Sequence, residues 1–169
     1  MQITAPAGAA QTRAAILLAI AMAVVVGAAL AFEHIGGYIP CALCLAQRDP
    51  YYLGIPVMLA AFASSVFGGP ASLTRGLLAV GGLLMVYGMA MGIYHAGVEW
   101  TWWEGPSTCA TAAQAVTKDA GDLLGDLNAK KPPSCDAASL RVLGLSFAGW
   151  NVIASSLLAA VAFRSALRA

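Results

Sequence analysis

The chain has 169 residues, of which 60% are hydrophobic and 10% are charged, and its mean hydropathy is +0.77. These values exclude an ordinary soluble globular domain and indicate an integral membrane protein. The formal net charge is only +1 and the sequence has no Lys/Arg-rich run, so it gives no sign of nucleic-acid binding.

Four segments are long and apolar enough to cross a hydrocarbon core about 30 Å thick, which takes about 20 helical residues. None of the four contains Lys, Arg, Asp or Glu. Backbone groups in lipid must bond internally, so each segment is expected to be an α-helix. The sequence therefore predicts an all-α integral membrane protein, a four-transmembrane-helix bundle forming one domain over 1–169, with helices at about 14–32, 51–67, 76–94 and 145–163.

The first predicted helix also has features of a cleavable signal peptide. Arg13 precedes an apolar run, and the small-residue triplet Ala29-Leu30-Ala31 lies near its end. The run covers residues 14–32, however, which is longer than the 7 to 15 residues usual for the apolar region of a signal peptide. We therefore expect the segment to be retained as a membrane helix.

Charges beside the helices predict the orientation. Arg13 precedes the first helix, Arg75 lies between the second and third, and Arg164 and Arg168 follow the fourth. Because short loops rich in Lys and Arg face the cytoplasm, both termini are expected on that side. Two outer loops, at about 33–50 and 95–144, are then expected on the opposite side.

All four cysteines, Cys41, Cys44, Cys109 and Cys135, fall in these outer loops. An even cysteine count in an oxidising compartment indicates disulfides, and four cysteines allow three connectivities. We favour one local pair, Cys41 with Cys44, and one pair within the long loop, Cys109 with Cys135. In the chain-entropy model the long-loop bridge contributes roughly 3–4 kcal/mol, whereas a bridge within a CxxC closes almost no loop.

The CxxC is therefore expected to serve chemistry rather than stability. Vicinal cysteines on a helical turn can have a depressed thiol pKa and are used in redox exchange or in metal binding. A structural zinc site usually presents a second tight pair, which this spacing lacks, so no metal is expected. A non-catalytic membrane adaptor with two structural disulfides is the other alternative.

Arg48 follows Cys44 by four residues. On a continuous helical turn its guanidinium would reach toward the same face as the sulfur and favour the thiolate. At the membrane boundary the same cation could hydrogen-bond a quinone oxygen. The alternative is an ordinary juxtamembrane arginine that snorkels to the interface. Asp49-Pro50 indicates a new helix start, which leaves the distance between Cys44 and Arg48 open.

Three further features concern packing and the long loop. Gly88 and Gly92 form a GxxxG, which is more typical of close packing inside a bundle than of a dimer face, and Asn151 is expected to hydrogen-bond between helices. Apolar residues and acids alternate from Thr111 to Leu127 in a way that predicts a short amphipathic helix near the membrane surface.

The stretches "FEHIGGYIPCALCLAQR" and "LGLSFAGWN", together with the separated pair Cys109 and Cys135, resemble the disulfide bond formation protein B (DsbB) family of quinone-linked bacterial thiol oxidases. The resemblance covers nearly the whole chain. The order of a CxxC before the second helix and a separated pair before the fourth is unlike the vitamin K epoxide reductase-like enzymes, which would require a CxxC in a late helix.

The resemblance implies a mechanism. A soluble periplasmic DsbA-like dithiol protein of the thioredoxin fold attacks Cys109 of a Cys109–Cys135 disulfide, released Cys135 attacks Cys41, and Cys44 becomes the thiolate that faces a quinone. Arg48 matches the family arginine that supports quinone binding, and His95 resembles a family histidine near the quinone. The implied cofactor is ubiquinone or menaquinone, and the implied location is the bacterial inner membrane with the cysteine loops in the periplasm.

Overall fold

The computed structural model describes residues 8–106 and 135–167, and these are mostly helical. The elements in chain order are α1 (Ala9–His34), α2 (Ala42–Ala46), α3 (Asp49–Val66), α4 (Ala71–Glu99), β1 (Arg141–Val142), β2 (Leu145–Ser146) and α5 (Phe147–Leu167). The two strands pair antiparallel across the two-residue turn Leu143-Gly144. Both turn residues have positive φ, +52° and +84°, as the twist of a tight hairpin requires.

Within residues 8–106 and 135–167, three helices, α1, α4 and α5, are long and apolar enough to cross a membrane. The prediction of a helical membrane protein is thereby confirmed. Helix α3 lies where the second predicted span was placed, but it has only 18 residues and begins with Asp49, Pro50 and two tyrosines. The polar first turn lowers the mean hydropathy of α3, and α3 is not among the three helices apolar enough to span a membrane. Its role as a fourth span therefore stays a prediction.

Several helix ends differ from the predicted ones. Helix α1 begins at Ala9 rather than near residue 14, and α4 runs from Ala71 to Glu99 rather than from 76 to 94. Apolar runs locate only the lipid-facing part of a helix, whereas its hydrogen bonds continue through polar residues at the ends. The first predicted outer loop also contains α2, the second begins after Glu99, and residues 145–146 belong to the hairpin rather than to the last helix. The predicted amphipathic helix at 111–127 lies outside the described residues.

The four long helices pack as a ring. Helices α1 and α4 each pack against both α3 and α5. Gly88 lies against Pro50 and Ser155, and Gly92 lies against Val152, so both glycines of the GxxxG face neighbours in the same chain. This confirms the prediction of packing inside the bundle. The core between the helices is formed by Leu18, Met22, Tyr51, Met58, Leu78, Met85, Leu158 and Ala162.

Contacts at one end of the bundle bring together the end of α1, α2, the start of α3, the end of α4 and the start of α5. Arg48 pairs with Glu33 of α1, and Gln47 hydrogen-bonds to His95 of α4. Tyr51 hydrogen-bonds to Asn151 of α5. We call this the cysteine end, because it holds Cys41, Cys44 and Cys135.

Candidate active site

The two cysteines of the CxxC lie at the start of the short helix α2. Cys41 is the N-cap residue, and its sulfur accepts a hydrogen bond from the backbone N–H of Cys44 at 3.3 Å. The two Sγ atoms are 2.8 Å apart and both cysteines are free thiols. Cys41 is buried and Cys44 is half-buried. The predicted helical turn is confirmed, and it places both sulfurs within exchange distance.

The two sulfurs differ strongly in acidity. The hydrogen bond from Cys44 outweighs burial and, with a hydrogen bond from His95, lowers the pKa of Cys41 from 9.0 to about 4. The same hydrogen bond, together with burial, raises the pKa of Cys44. The two groups titrate as a pair, so at neutral pH the reduced pair carries one thiolate, located on Cys41. The expectation that Arg48 would favour an ionised Cys44 does not describe this reduced state.

A third sulfur lies beside the pair. Cys135 is buried against Cys41, Leu43 and Val98. The Sγ atoms of Cys41 and Cys135 and a ring nitrogen of His95 all lie within 4.8 Å of one another. Cys135 is in a disulfide, while Cys41 and Cys44 are not. A disulfide sulfur lacks the thiolate that zinc requires, so this cluster is suited to thiol–disulfide exchange rather than to holding a metal.

Arg48 points to a carboxylate rather than to a sulfur. Helix α2 ends at Ala46, so Cys44 and Arg48 are not on one continuous helix. The guanidinium Nη1 donates a hydrogen bond to Glu33 Oε2 at the end of α1. Both side chains are largely buried, with 13% and 25% of their surface exposed. The CxxC therefore has an ion pair without net charge beside it, rather than an unpaired arginine.

A cavity of about 440 Å³ opens beside this ion pair. Its volume lies in the range of small-molecule sites. One part of the lining is apolar and comes from α1, including Val24, Val25 and Ala28, and Phe32, Tyr38 and Phe147 form an aromatic cluster in the same lining. The polar part of the lining comes from Glu33, Cys44, Gln47, Arg48, Tyr51, Ser139 and Asn151. The cavity thus joins a thiol to a surface suited to an apolar ring compound.

The comparisons with known proteins identify the family. The family model for disulfide bond formation protein DsbB matches residues 11–164. The chain belongs to the DsbB family. No curated protein and no solved structure matches it. Membership implies a membrane thiol oxidoreductase that acts in disulfide bond formation, which agrees with the three clustered sulfurs.

Five of the six predicted site residues meet at the cysteine end of this DsbB-family chain. Cys41, Cys44 and Arg48 lie around the CxxC, and Cys135 lies behind it. His95 contacts the Cys41 side, with Nε2 3.7 Å from the sulfur, and the lining of the cavity described above does not include it. Cys109 lies outside the described residues.

Sequence reasoning missed four polar residues of the DsbB-family site. These are Glu33, Gln47, Tyr51 and Glu99. The only sequence signal for Gln47 is its position three residues after Cys44, and Glu33 could be noticed only as an acid at the end of an apolar run. Asn151 was expected to hydrogen-bond between helices, and it does so with Gln47, Tyr51 and the backbone of Gly88.

Proposed function

We propose that this chain is a quinone-dependent protein-disulfide oxidoreductase of a bacterial inner membrane. It would reoxidise a periplasmic DsbA-like dithiol protein and pass two electrons to ubiquinone or menaquinone. We further propose four membrane spans in a single domain, with α3 as the second span, and with both termini in the cytoplasm. The observation that carries the proposal is the position of Cys41, which lies between Cys135 and the cavity-lining Cys44.

The first step exchanges disulfides between two proteins. A thiolate of the partner attacks Cys109 of a Cys109–Cys135 disulfide, and the partner's second thiol closes the partner's own disulfide. Cys109 and Cys135 leave as thiols, so two electrons and two protons enter this chain. In support of this step, Cys135 is in a disulfide in the structure, while Cys41 and Cys44 are free.

The second step moves the electrons to the CxxC. The Cys135 thiolate attacks Cys41 of a Cys41–Cys44 disulfide, which breaks that bond and releases Cys44 as a thiolate. Cys109 then attacks Cys135, restores the long-loop disulfide and releases Cys41. A free CxxC beside a disulfide-bonded Cys135 corresponds to the state that follows this step. The proximity of Cys41 and Cys135 supports attack in either direction, because exchange is reversible.

The acidities fit the order of these events. The pKa of Cys44 is raised chiefly by its hydrogen bond to Cys41, and that cause is absent while Cys41 is bonded to Cys135. Cys44 is therefore easiest to ionise in the mixed disulfide, when it faces the cavity alone. Once Cys41 is released, it takes over the negative charge, because its pKa is lowered to about 4.

The cavity fits a quinone in size and polarity. A bound quinone would accept two electrons from the CxxC as the Cys41–Cys44 disulfide reforms, together with one proton from the Cys44 thiol and one from water. The apolar wall of α1 and the aromatic cluster would hold its ring, and Arg48 would donate a hydrogen bond to a ring oxygen. Cys44 lines the same cavity, so a quinone bound there would lie next to this cysteine.

The test is turnover by the purified chain in lipid, with a short-chain quinone and a reduced DsbA-like partner. Cys44→Ser is expected to abolish quinone reduction, because the sulfur that faces the cavity is removed. Ser65→Ala is the control, since the one bond of the Ser65 hydroxyl among the described residues goes to the carbonyl of Phe62 near the far end of α3. Full quinone reduction by Cys44→Ser would contradict the proposed role. Absence of turnover in the unmodified chain, with unreactive thiols, would favour the structural adaptor instead.

A further inference from the structure

A chain of hydrogen bonds crosses the cysteine end from α5 to His95. The Tyr51 hydroxyl donates to Asn151 Oδ1 at 2.7 Å, and Asn151 Nδ2 donates to Gln47 Oε1 at 2.8 Å. Gln47 Nε2 and His95 Nδ1 are 2.7 Å apart. Gln47 and His95 are buried, with 6% and 3% of their surface exposed, so water does not compete for these bonds.

The direction of each bond is fixed by backbone carbonyls, which can only accept. Asn151 Nδ2 also donates to the carbonyl of Gly88 at 3.2 Å, and Gln47 Nε2 also donates to the carbonyl of Leu43 at 3.2 Å. Turning either amide over would place an oxygen against a carbonyl oxygen. The nitrogen of Gln47 must therefore face His95.

The orientation of Gln47 sets the proton position on the ring. Gln47 Nε2 is a donor, so His95 Nδ1 must accept and carries no hydrogen. In the neutral ring the hydrogen is then on Nε2. That nitrogen is 3.7 Å from Cys41 Sγ and 3.9 Å from Glu99 Oε1. The ring thus presents its N–H to the two acceptors on that side, one of which is the exchanging sulfur.

We propose that Gln47, held in place by Asn151 and Tyr51, is a positioning residue that fixes His95 as its Nε2–H tautomer, so that the ring donates a hydrogen bond to the Cys41 sulfur. The inference builds on the proposed function, in which Cys41 forms a disulfide with Cys44 and, in turn, with Cys135. A donor fixed on Cys41 stabilises the thiolate that forms on this sulfur when its mixed disulfide with Cys135 breaks.

The tautomer is measurable without quinone or partner. The chain contains two histidines, so labelling with isotope-enriched histidine gives two ring signals, and His34→Gln assigns them. The full-length chain in lipid is expected to show neutral His95 in one form, with the hydrogen on Nε2. A hydrogen on Nδ1, or an even mixture in the unmodified chain, would overturn the proposal.

Variants test which residue sets the tautomer. Gln47→Met removes the donor at similar volume and is expected to give a mixture of tautomers, and Asn151→Leu is expected to do so in part. Glu99→Gln is expected to leave the Nε2–H form, because Glu99 lies on the other side of the ring. Ser156→Ala is the control in α5, since within the part of the chain that the structure describes its hydroxyl bonds only to the carbonyl of Val152. The proposal would be overturned if His95 lost the Nε2–H tautomer in Glu99→Gln but kept it in Gln47→Met.

A second readout follows the sulfur. Among the described residues, the groups that face Cys41 are Cys44, His95 and Cys135, and Glu99 lies beside the same ring nitrogen of His95 that approaches the Cys41 sulfur. In the reduced CxxC, Gln47→Met is expected to raise the pH midpoint of Cys41 ionisation by about one unit, the shift given by loss of one hydrogen bond to a charged atom. An unchanged midpoint would contradict a donor role for His95. Neither measurement depends on turnover, so failure of the proposed quinone activity would be recognised separately.

Discussion

Individual residues at the cysteine end show how local contacts set reactivity. Cys41 and Cys44 have the same side chain and are three residues apart, yet one is acidified and the other is not. The difference arises because a single negative charge is shared between two touching sulfurs, and His95 lies on the Cys41 side. Sequence spacing alone predicts a depressed pKa in the motif but not which sulfur has it.

The first prediction at this scale concerns pH. In the reduced CxxC one thiolate is expected to form with a midpoint near pH 4, because the lowered pKa of Cys41 keeps it ionised above that value. No second thiolate is expected up to pH 9.0, since the pKa of Cys44 is raised. Ultraviolet thiolate absorbance measures both, with Cys41→Ser as the reference. First ionisation near the ordinary value of 9.0 would contradict the assignment.

The second prediction concerns the ion pair of Arg48 and Glu33. Arg48→Met leaves a largely buried carboxylate without its counter-charge and is expected to cost about 1–3 kcal/mol of unfolding free energy. Glu33→Leu combined with Arg48→Met removes both charges and is expected to be more stable than Arg48→Met alone. Denaturant unfolding in detergent measures both variants.

Quinone kinetics distinguishes the role of the Arg48–Glu33 pair in stability from the role of Arg48 in quinone binding. The KM for quinone should rise in both variants, because each lacks the guanidinium donor in the cavity. Equal stability of the single and double variants would show that the charges are not energetically coupled.

At the scale of elements, close helix contact depends on glycines. A Cβ built at Gly92 would lie 2.9 Å from Val152 Cγ2 and 3.3 Å from the carbonyl oxygen of Ala148, both in α5. At Gly76, in the same helix, a Cβ would meet nothing within 4 Å. The two glycines therefore form a matched pair for testing the packing of α4 on α5.

Gly92→Ala is expected to push α5 away and to lower the unfolding free energy by about 1–3 kcal/mol through overpacking. Gly76→Ala is expected to be neutral or to stabilise α4 by up to about 1 kcal/mol, because alanine favours the helix. Thermal unfolding in one lipid or detergent system compares them. Equal effects of the two substitutions would mean that the α4–α5 contact is looser than described.

The sequence predicts these elements unevenly. Apolar runs place α1, α4 and α5, and the CxxC marks the site, because lipid crossing and thiol chemistry leave local signals. The contacts of Gln47 with Asn151 join residues far apart in the chain, and they depend on how each helix is rotated about its axis. The pairing of Arg48 with Glu33 depends likewise on where α1 ends. The spacing of residues in the sequence gives neither the rotation of a helix nor the residue at which α1 ends, so these contacts could not be predicted.

For the whole molecule, the charged residues complement the arrangement of the helices. Arg13, Arg75 and Arg164 lie near the ends of α1, α4 and α5 that are farthest from the cysteines. Short cytoplasmic segments carry an excess of such residues, which is why the cysteine end is proposed to be periplasmic. The orientation is open to a direct test.

The test uses single cysteines in a background without the four native ones. Ala137→Cys lies at the cysteine end and Ser72→Cys lies in the first turn of α4, and both positions are exposed. A membrane-impermeant thiol reagent added to intact cells with a permeabilised outer envelope is expected to label position 137. Position 72 should react only after the inner membrane is opened. The opposite pattern would reverse the proposed orientation.

The place of Cys41 between two sulfurs limits how the whole cycle can be timed. Its Sγ lies 2.8 Å from Cys44 Sγ and within 4.8 Å of Cys135 Sγ, and one sulfur forms one disulfide at a time. Under the proposed function, loading of electrons from the protein partner and their discharge into the bilayer must alternate. Each turnover would then consist of one reduction by the dithiol partner followed by one oxidation by quinone. With an excess of the partner alone the chain would accumulate in its reduced form, and with an excess of quinone alone it would accumulate in its oxidised form.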